Sequence, residues 1–352
     1  MTGFMNMNRR QLLQAAGASA AAASLGAGKA FALAGDGIKI GTFSGALNDV
    51  LEKVAGPKFK STHADAALTF TARASAEAYP RLLVAKTNPF ETGGLWNDTF
   101  AALGAKADLF TKVEPANAPN VAAIPQDLQP RHGMGVAAAI QPFGIAYNPK
   151  FVEKPKSWLD LFNPKYAGKV GMHENFWDAY VMLARILGKD EYNLSVAVDE
   201  WAKHKKNIGV WTTSYTQMEE LIDKGEVWLG PQWGGYTAAA QLRGLNIAFA
   251  WPEEGCTQQT IVGCVNAGTS PAVSKATQEF VNVWLDPEIQ LEILKRAGLS
   301  PSNPNVTLPT EYAQLEGVVN VKTNTKKLFQ YDFAHVGGTL QALRREIDQK
   351  LR

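Results

Sequence analysis

The sequence predicts an α/β fold divided into two lobes. Strand-like and helix-like segments alternate along most of the chain, which is typical of a largely parallel sheet with helices packed on it. About 320 of the 352 residues follow an N-terminal leader, more than one hydrophobic core usually serves. Hydrophobic residues make up 46% and charged residues 19% of the chain, an ordinary balance for a globular protein.

Residues 1–32 have the composition of an export signal. Arg9 and Arg10 precede a weakly apolar, alanine-rich stretch, and the small-x-small triplet Ala30-Phe31-Ala32 follows it. That order is typical of a cleaved secretory signal, and the paired arginines resemble those of the twin-arginine route. A membrane anchor is the alternative, but a span needs about 20 strongly apolar residues, and glycine and serine interrupt this stretch. We therefore expect a periplasmic protein.

The charge of the remaining chain argues against nucleic acid as a partner. The leader contains three basic residues and no acidic residue, so the rest has 32 basic and 33 acidic residues and a net charge of −1. No basic stripe accompanies the aromatic residues, as nucleic-acid binding would require.

The first half of the chain contains the elements expected of one α/β lobe. Apolar and polar residues that alternate predict strands, and apolar residues three or four apart predict helices. In chain order we expect a strand at 37–43, a helix from Leu47 to Val54, a strand at 66–72, a helix at 76–83, a strand ending at 93–97, and short apolar strands at 136–140 and 143–147.

The second half repeats this arrangement. A loop is expected at 266–271, where Asn, Gly, Ser and Pro cluster. The predicted elements are strands at 169–172, 210–212, 227–229 and 247–251, and helices at 177–187, 198–206, 215–224, 234–243, 275–285 and 287–297, with a C-terminal helix from Leu340.

The two cysteines, Cys256 and Cys264, leave two alternatives open. An oxidising periplasm permits a disulfide between them, and two buried thiols are equally compatible with the sequence.

Five blocks of the chain have a distinctive sequence. The most specific is 155–170, which reads Pro-Lys-Ser-Trp-Leu-Asp-Leu-Phe-Asn-Pro-Lys-Tyr-Ala-Gly-Lys-Val. The weaker blocks are 147–152, 224–227, 252–255 and 280–290. In order and spacing, these blocks resemble extracellular solute-binding proteins of ABC importers, in the spermidine/putrescine-type branch.

The resemblance implies a type II periplasmic-binding-protein fold, with a hinge between two lobes that close over a small ligand. It implies chain crossings near Val136–Gln141 and Thr260–Asn266. The expected division is 33–138 plus 264–310 for lobe one and 139–263 plus 311–352 for lobe two. The implied partners are a small-molecule ligand and an ABC permease in the inner membrane. We expect a monomer without cofactor or metal.

Candidate ligand-binding residues lie where strands end and helices begin, because helix N-termini there offer free amides and a positive dipole end. In lobe one these are Ser44 and Gly45 at the first turn and Trp96 and Asn97 at a later one. The alternative is a capping role for Ser44 and a core position for Trp96.

Lobe two offers three such turns. By its position at a helix start, Asp178 is a capping charge. The resemblance implies the alternative, that it meets a ligand amine. The hydroxyls of the next turn are either helix caps or cleft residues. The candidates are Trp177 and Asp178, then Thr213 and Ser214, then Gln232, Trp233 and Tyr236.

The ligand class stays open between polyamine-like and other amino- or organic-acid-type solutes. The resemblance implies a polyamine, whereas the segment 256–262 is uncharged and the Ser, Thr, Gln and Asn inventory suits mixed-charge ligands equally.

An exported α/β enzyme and a receptor that presents its ligand to a membrane sensor are the functional alternatives. The five histidines are scattered without metal-ligand spacing, and Ser44 lies in Gly-x-x-Ser-Gly, which is not the hydrolase elbow. We therefore expect no catalysis.

Overall fold

The computed structural model describes residues 37–130 and 132–352, so the predicted leader lies outside the described residues. No helix in these two ranges is both long enough and apolar enough to cross a membrane.

One mixed sheet runs through the molecule. Its main path has the order β2-β1-β3-β10-β5-β8-β6-β7, while β4 and β11 pair with β10, and β9 pairs with β5. The strands are β1 Ile38–Thr42, β2 Leu68–Ala72, β3 Gly93–Asn97, β4 Phe110–Thr111, β5 Val136–Tyr147, β6 Val170–His173, β7 Ile208–Thr212, β8 Leu229–Trp233, β9 Ala248–Ala250, β10 Cys256–Asn266 and β11 Leu328–Phe329.

The direction of the strands divides this sheet into two halves. β2, β1 and β3 run parallel to one another, and so do β8, β6 and β7. Between these two groups, the long strands β10 and β5 pair antiparallel with each other and with their outer neighbours β3 and β8. Each parallel group is the centre of one lobe, and β5 and β10 connect the two lobes.

The segments expected to cross between the lobes pair with each other. Ile140 lies opposite Thr260, and Ala137 lies opposite Val262, with a shift of register between Ile261 and Val262. Such a bulge bends a strand and increases its twist locally.

Helices follow the parallel strands and cover the sheet. A π-helical turn, Leu51–Ala55, joins α1 to α2. The helices are α1 Ala46–Val50, α2 Gly56–Lys60, α3 Ser75–Val84, α4 Asp98–Lys106, α5 Trp177–Ile186, α6 Ser195–Lys203, α7 Tyr215–Asp223, α8 Gly234–Leu242, α9 Pro271–Trp284, α10 Pro287–Ala297, α11 Thr310–Ala313 and α12 Phe333–Leu351.

The C-terminal helix α12 contacts both lobes. It packs against α4, which follows β3 in lobe one, and against α6 in lobe two. Near its end, Lys350 forms ion pairs with Asp199 of α6 and with Glu346.

The structure decides between the two alternatives for the cysteines. Cys256 and Cys264 are both buried and free. They lie eight positions apart on the single extended strand β10, a separation of roughly 26 Å, far beyond the reach of a disulfide. The alternative of two buried thiols is the observed one.

Three element boundaries also differ from expectation. β5 continues through Pro142 where two strands were expected, and β10 occupies residues for which the sequence patterns predicted no strand. The C-terminal helix begins at Phe333 rather than at Leu340. Gly337, in these additional turns, packs directly against α4, where a Cβ added to it would lie 2.6 Å from Thr99 Cγ2.

Candidate functional site

The carboxyl ends of all six parallel strands face one cleft. Each strand is followed by a helix, so six strand-to-helix turns meet there, as expected at the edge of a doubly wound sheet. The turns contribute Phe43 after β1, Ala74 after β2, Asn97 at the end of β3, Asn175 after β6, Tyr215 after β7 and Trp233 at the end of β8.

The cleft contains two connected cavities. The main cavity has a volume of about 560 Å³, and the adjoining cavity has a volume of about 430 Å³. Both lie within the range of small-molecule sites, roughly 300–1,000 Å³. The side chains that line both are Phe43, Asn97, Tyr215, Trp233 and Gln259.

Aromatic rings form one wall of the cleft. The Trp233 ring packs edge-on against Phe143, with 4.5 Å between centroids, and is almost completely buried. Tyr215 stacks on His173 and leans on Tyr236 at 4.8 Å. These contacts fix the rings in place, so their faces can receive an apolar chain or a cation without reorganisation.

Two buried carboxylates lie in the main cavity, one from each lobe. Asp98 is the first residue of α4 and Asp178 the second residue of α5, and each is only 4% exposed. The hydroxyl of Thr257 donates to Asp178 Oδ1 at 2.6 Å, and the backbone N–H of Thr260 donates to Asp98 Oδ2. Strand β10 therefore orients both carboxylates.

Neither carboxylate has a cationic partner within the described ranges. Burial raises the pKa of Asp178 to about 6. Burial also raises the pKa of Asp98 well above its usual range, and the nearby charge of Asp178 adds to the rise. A cation bound between them would supply the missing charge and lower both pKa values.

The charged side chains of the adjoining cavity are compensated within the protein. Glu219 accepts a hydrogen bond from Arg243, and Arg296 is paired with Glu292 outside the cavity. The amide of Gln141 donates to Gln259, which joins β5 to β10 across the floor of the cleft.

Six of the eleven residues predicted for the site line these cavities. Trp177 and Asp178 line the main cavity, Ser44 and Tyr236 line the adjoining one, and Asn97 and Trp233 line both. That they contact a ligand stays a prediction.

The other five predicted residues are not brought to either cavity. Trp96 is 0% exposed and packs in the core of lobe one, with the Arg73 guanidinium carbon 4.3 Å from its ring centroid. Ser214 caps α7 by accepting a hydrogen bond from the N–H of Gln217.

Each of the remaining three has its own position. Thr213 is exposed beside the Ser214 cap. Gln232 is 0% exposed, and its side-chain oxygen accepts from the N–H of Trp233. Gly45, with φ of 85°, precedes α1 and turns the chain between Ser44 and Ala46, both of which line the adjoining cavity.

Sequence reasoning missed several cavity residues. Asp98 directly follows the predicted Asn97. Extending that prediction from the last residue of the strand to the first residue of the helix would have included Asp98. Phe333 and Arg344 come from α12, whose place across the cleft has no local sequence signal.

The described residues contain no metal-ligand group. In ranges 37–130 and 132–352, no three His, Cys, Asp or Glu side chains come together as ligands would.

The chain matches two family profiles. Residues 90–317 match the bacterial extracellular solute-binding protein family, and residues 6–26 match the signal sequence of the twin-arginine translocation pathway.

A curated relative shares part of the sequence. The spermidine/putrescine-binding periplasmic protein of Escherichia coli K12 is 26% identical over 175 residues, which are 47% of each chain. The chain thus spans about half the length of the curated relative it matches.

Solved structures share the fold over nearly the whole chain. An ABC transporter structure from Clostridium perfringens ATCC 13124 has a TM-score of 0.75 at 20% identity and covers 90% of this chain and 100% of its own. An ABC transporter substrate-binding protein from Bradyrhizobium japonicum USDA 110 has a TM-score of 0.69 at 21% identity, covering 90% and 99%. The two-lobed type II fold is therefore shared with substrate-binding proteins of ABC transporters.

Proposed function

This chain belongs to the bacterial extracellular solute-binding protein family, and we propose that it captures a small solute carrying a protonated amine and delivers it to an ABC permease. A twin-arginine signal directs it to the periplasm, where such a receptor meets its solute.

One observation carries the amine assignment. Asp98 and Asp178 are buried in the main cavity without a cationic partner among the described residues. A buried carboxylate is costly unless a charge or hydrogen bonds compensate it. An ammonium group between the two would supply the charge, and the faces of Tyr215 and Trp233 would accept its neighbouring methylenes.

The curated relative supports the same class of solute. It is named for spermidine and putrescine, which are both amines. The alignment covers about half of each chain, so the identity of the solute rests on the cavity and not on the relative.

Capture requires the two lobes to move about β5 and β10. We place lobe one at 33–138 plus 264–310 and lobe two at 139–263 plus 311–352, with the hinge at the paired crossings. In support, one carboxylate and three of the six turns come from each lobe, so a solute that contacts both favours the closed form.

The proposed role is binding and not catalysis, because the family to which the chain belongs is one of solute-binding proteins. We expect the protein to act as a monomer that releases its solute unchanged, and turnover of any bound solute would contradict this role.

A thermal-shift screen tests the proposal. The exported protein is heated with amines, amino acids, organic acids and phosphonates, and at least one amine is expected to raise the melting temperature by mass action. Deletion of the gene should abolish uptake of that same solute. A shift with organic acids or phosphonates alone would overturn the amine assignment, and no shift with any class would overturn the receptor role.

A further inference from the structure

The main cavity is lined by two carboxyl side chains and one guanidinium. The carboxyl groups are those of Asp98 and Asp178, and Arg344 of α12 is the one basic side chain in the described lining. A site built for a pure polycation would gain nothing from this guanidinium, because like charges repel at close range.

Arg344 is fixed in place with hydrogen-bond donors to spare. Its Nη2 donates to Asn175 Oδ1 at 2.8 Å, and its guanidinium carbon lies 5.5 Å from the centroid of the Trp177 ring. Both neighbours also line the main cavity. A guanidinium has five N–H donors, and this one makes a single side-chain hydrogen bond within the described residues.

No carboxylate neutralises Arg344 in the described part of the chain, whereas the last residues of the same helix are paired. Lys350 pairs with Asp199 and Glu346, and Arg352 pairs with Glu174 and Asp348. Arg345, the next residue, also lacks a carboxylate partner among the described residues, but it does not line the main cavity, so Arg344 is the unpaired guanidinium at the cleft.

The charges are also separated by depth. The two carboxylates are buried at the helix starts, while Arg344 is exposed at the rim of the same cavity. A solute with an ammonium at one end and an anion at the other would place the ammonium inside and the anion at the rim. Arginine binds carboxylates in a planar, two-donor geometry that lysine cannot offer.

We propose that Arg344 recognises an acidic group of the solute, so that the protein selects amines that also carry a carboxylate over diamines and polyamines. The inference rests on the proposed amine-binding function and narrows its solute class.

A purely structural role for Arg344 makes a different prediction. If the side chain only tied α12 to Asn175, its loss would weaken every solute equally. Arg344→Gln separates the two roles, because glutamine can still hydrogen-bond Asn175 but has no charge. The adjacent, exposed Arg345, changed to Gln, is the matched control for the loss of one positive charge from the helix.

Titration calorimetry of the exported protein with matched pairs tests the proposal. The pairs are γ-aminobutyrate with putrescine, lysine with cadaverine, and arginine with agmatine, in which the second member lacks the carboxylate. In at least one pair the acid is expected to bind more tightly than its partner, and Arg344→Gln should weaken that acid about 10- to 100-fold. The same change should leave the diamine unchanged or tighter, and Arg345→Gln should change neither.

Three results would overturn the inference. The first is tighter binding of the carboxylate-free member in every pair that binds. The second is an equal loss for both members in Arg344→Gln, and the third is an equal loss in Arg345→Gln. Absence of binding by every member would instead overturn the amine-binding function itself, and this inference with it.

Discussion

The buried carboxylate of Asp178 lowers the stability of the ligand-free protein at neutral pH, and it offers a charge partner to a bound amine. Its carboxylate is held by Thr257, yet burial raises its pKa from about 3.8 to about 6. A carboxyl group whose pKa is higher in the folded than in the unfolded state stabilises the protein at pH values below its unfolded-state pKa. This contribution is lost as the pH rises through the folded-state pKa. At neutral pH the ligand-free protein therefore carries an unfavourable buried charge.

Asp178→Asn should stabilise the ligand-free protein at pH 7. The shift of about two pKa units corresponds to at most about 3 kcal/mol in the free energy of unfolding. Urea unfolding measures the gain, and Asp65→Asn on the exposed surface is the control. An unchanged or lower unfolding free energy would show that the carboxylate is compensated in the folded protein.

The affinity for the amine should depend on the same group. A cation binds the ionised carboxylate, so the dissociation constant should rise as the pH falls through about 6, where Asp178 takes up a proton. Calorimetry between pH 5 and 8 measures this dependence. In Asp178→Asn the affinity should be weak and lack this inflection, and an inflection that persists there would assign it to another group.

For single residues, the sequence predicted which turns face the cleft better than which side chains do. Asp178 and Trp233 were predicted because each lies where a strand ends and a helix begins. Trp96 also lies near a strand end, but its side chain is buried in the core of lobe one. The sequence of a strand does not show which of its faces is buried, because that depends on the neighbouring strands, here β10. Asp98 was missed although it is adjacent to Asn97.

Among the elements, helix α12 has the most consequential position. Its first turns pack on α4 of lobe one, while its last turns are tied to α6 of lobe two. The contact with α4 depends on Gly337, where an added Cβ would lie 2.6 Å from Thr99 Cγ2 and 3.1 Å from Leu103 Cδ1. The neighbouring Gly338 faces open space.

This pair of glycines provides a matched test. Gly337→Ala should push α12 away from α4, at a cost of about 1–3 kcal/mol in the unfolding free energy, and should weaken solute binding. Gly338→Ala should instead stabilise the helix by about 0.5–1 kcal/mol and leave binding unchanged. Equal effects of the two changes on melting temperature and affinity would show that α12 does not depend on close packing with α4.

Sequence periodicity predicted helices and the parallel strands of both lobes, but it did not predict the central strand β10. Strand β10 was missed because it is buried along nearly its whole length, so it lacks the alternation that marks a half-exposed strand. The start of α12 was missed because two consecutive glycines usually interrupt a helix, and only the structure shows that the first of them packs against α4.

For the whole molecule, two sub-sheets joined by two long strands predict a hinge. β5 and β10 carry the connection in the sheet, and the bulge at Ile261–Val262 offers a point of bending. Solute that bridges Asp98 and Asp178 should therefore make the protein more compact, and small-angle scattering should show a smaller radius of gyration with solute than without. An identical radius in both states would indicate a rigid cleft.

The two-lobed fold was predictable from the sequence because chain length, alternation of elements and the 155–170 block all point the same way. The charge pattern of the cleft was not predictable from the sequence, because Asp98, Asp178 and Arg344 lie on three helices that are distant in sequence.

The most direct test is a crystal structure of the exported protein with the solute that gives the largest thermal shift. We predict that the solute lies between the lobes, with its amine against Asp98 and Asp178 and its chain along Tyr215 and Trp233. Solute bound outside this cleft, or bound within it with no contact to either aspartate, would contradict the account.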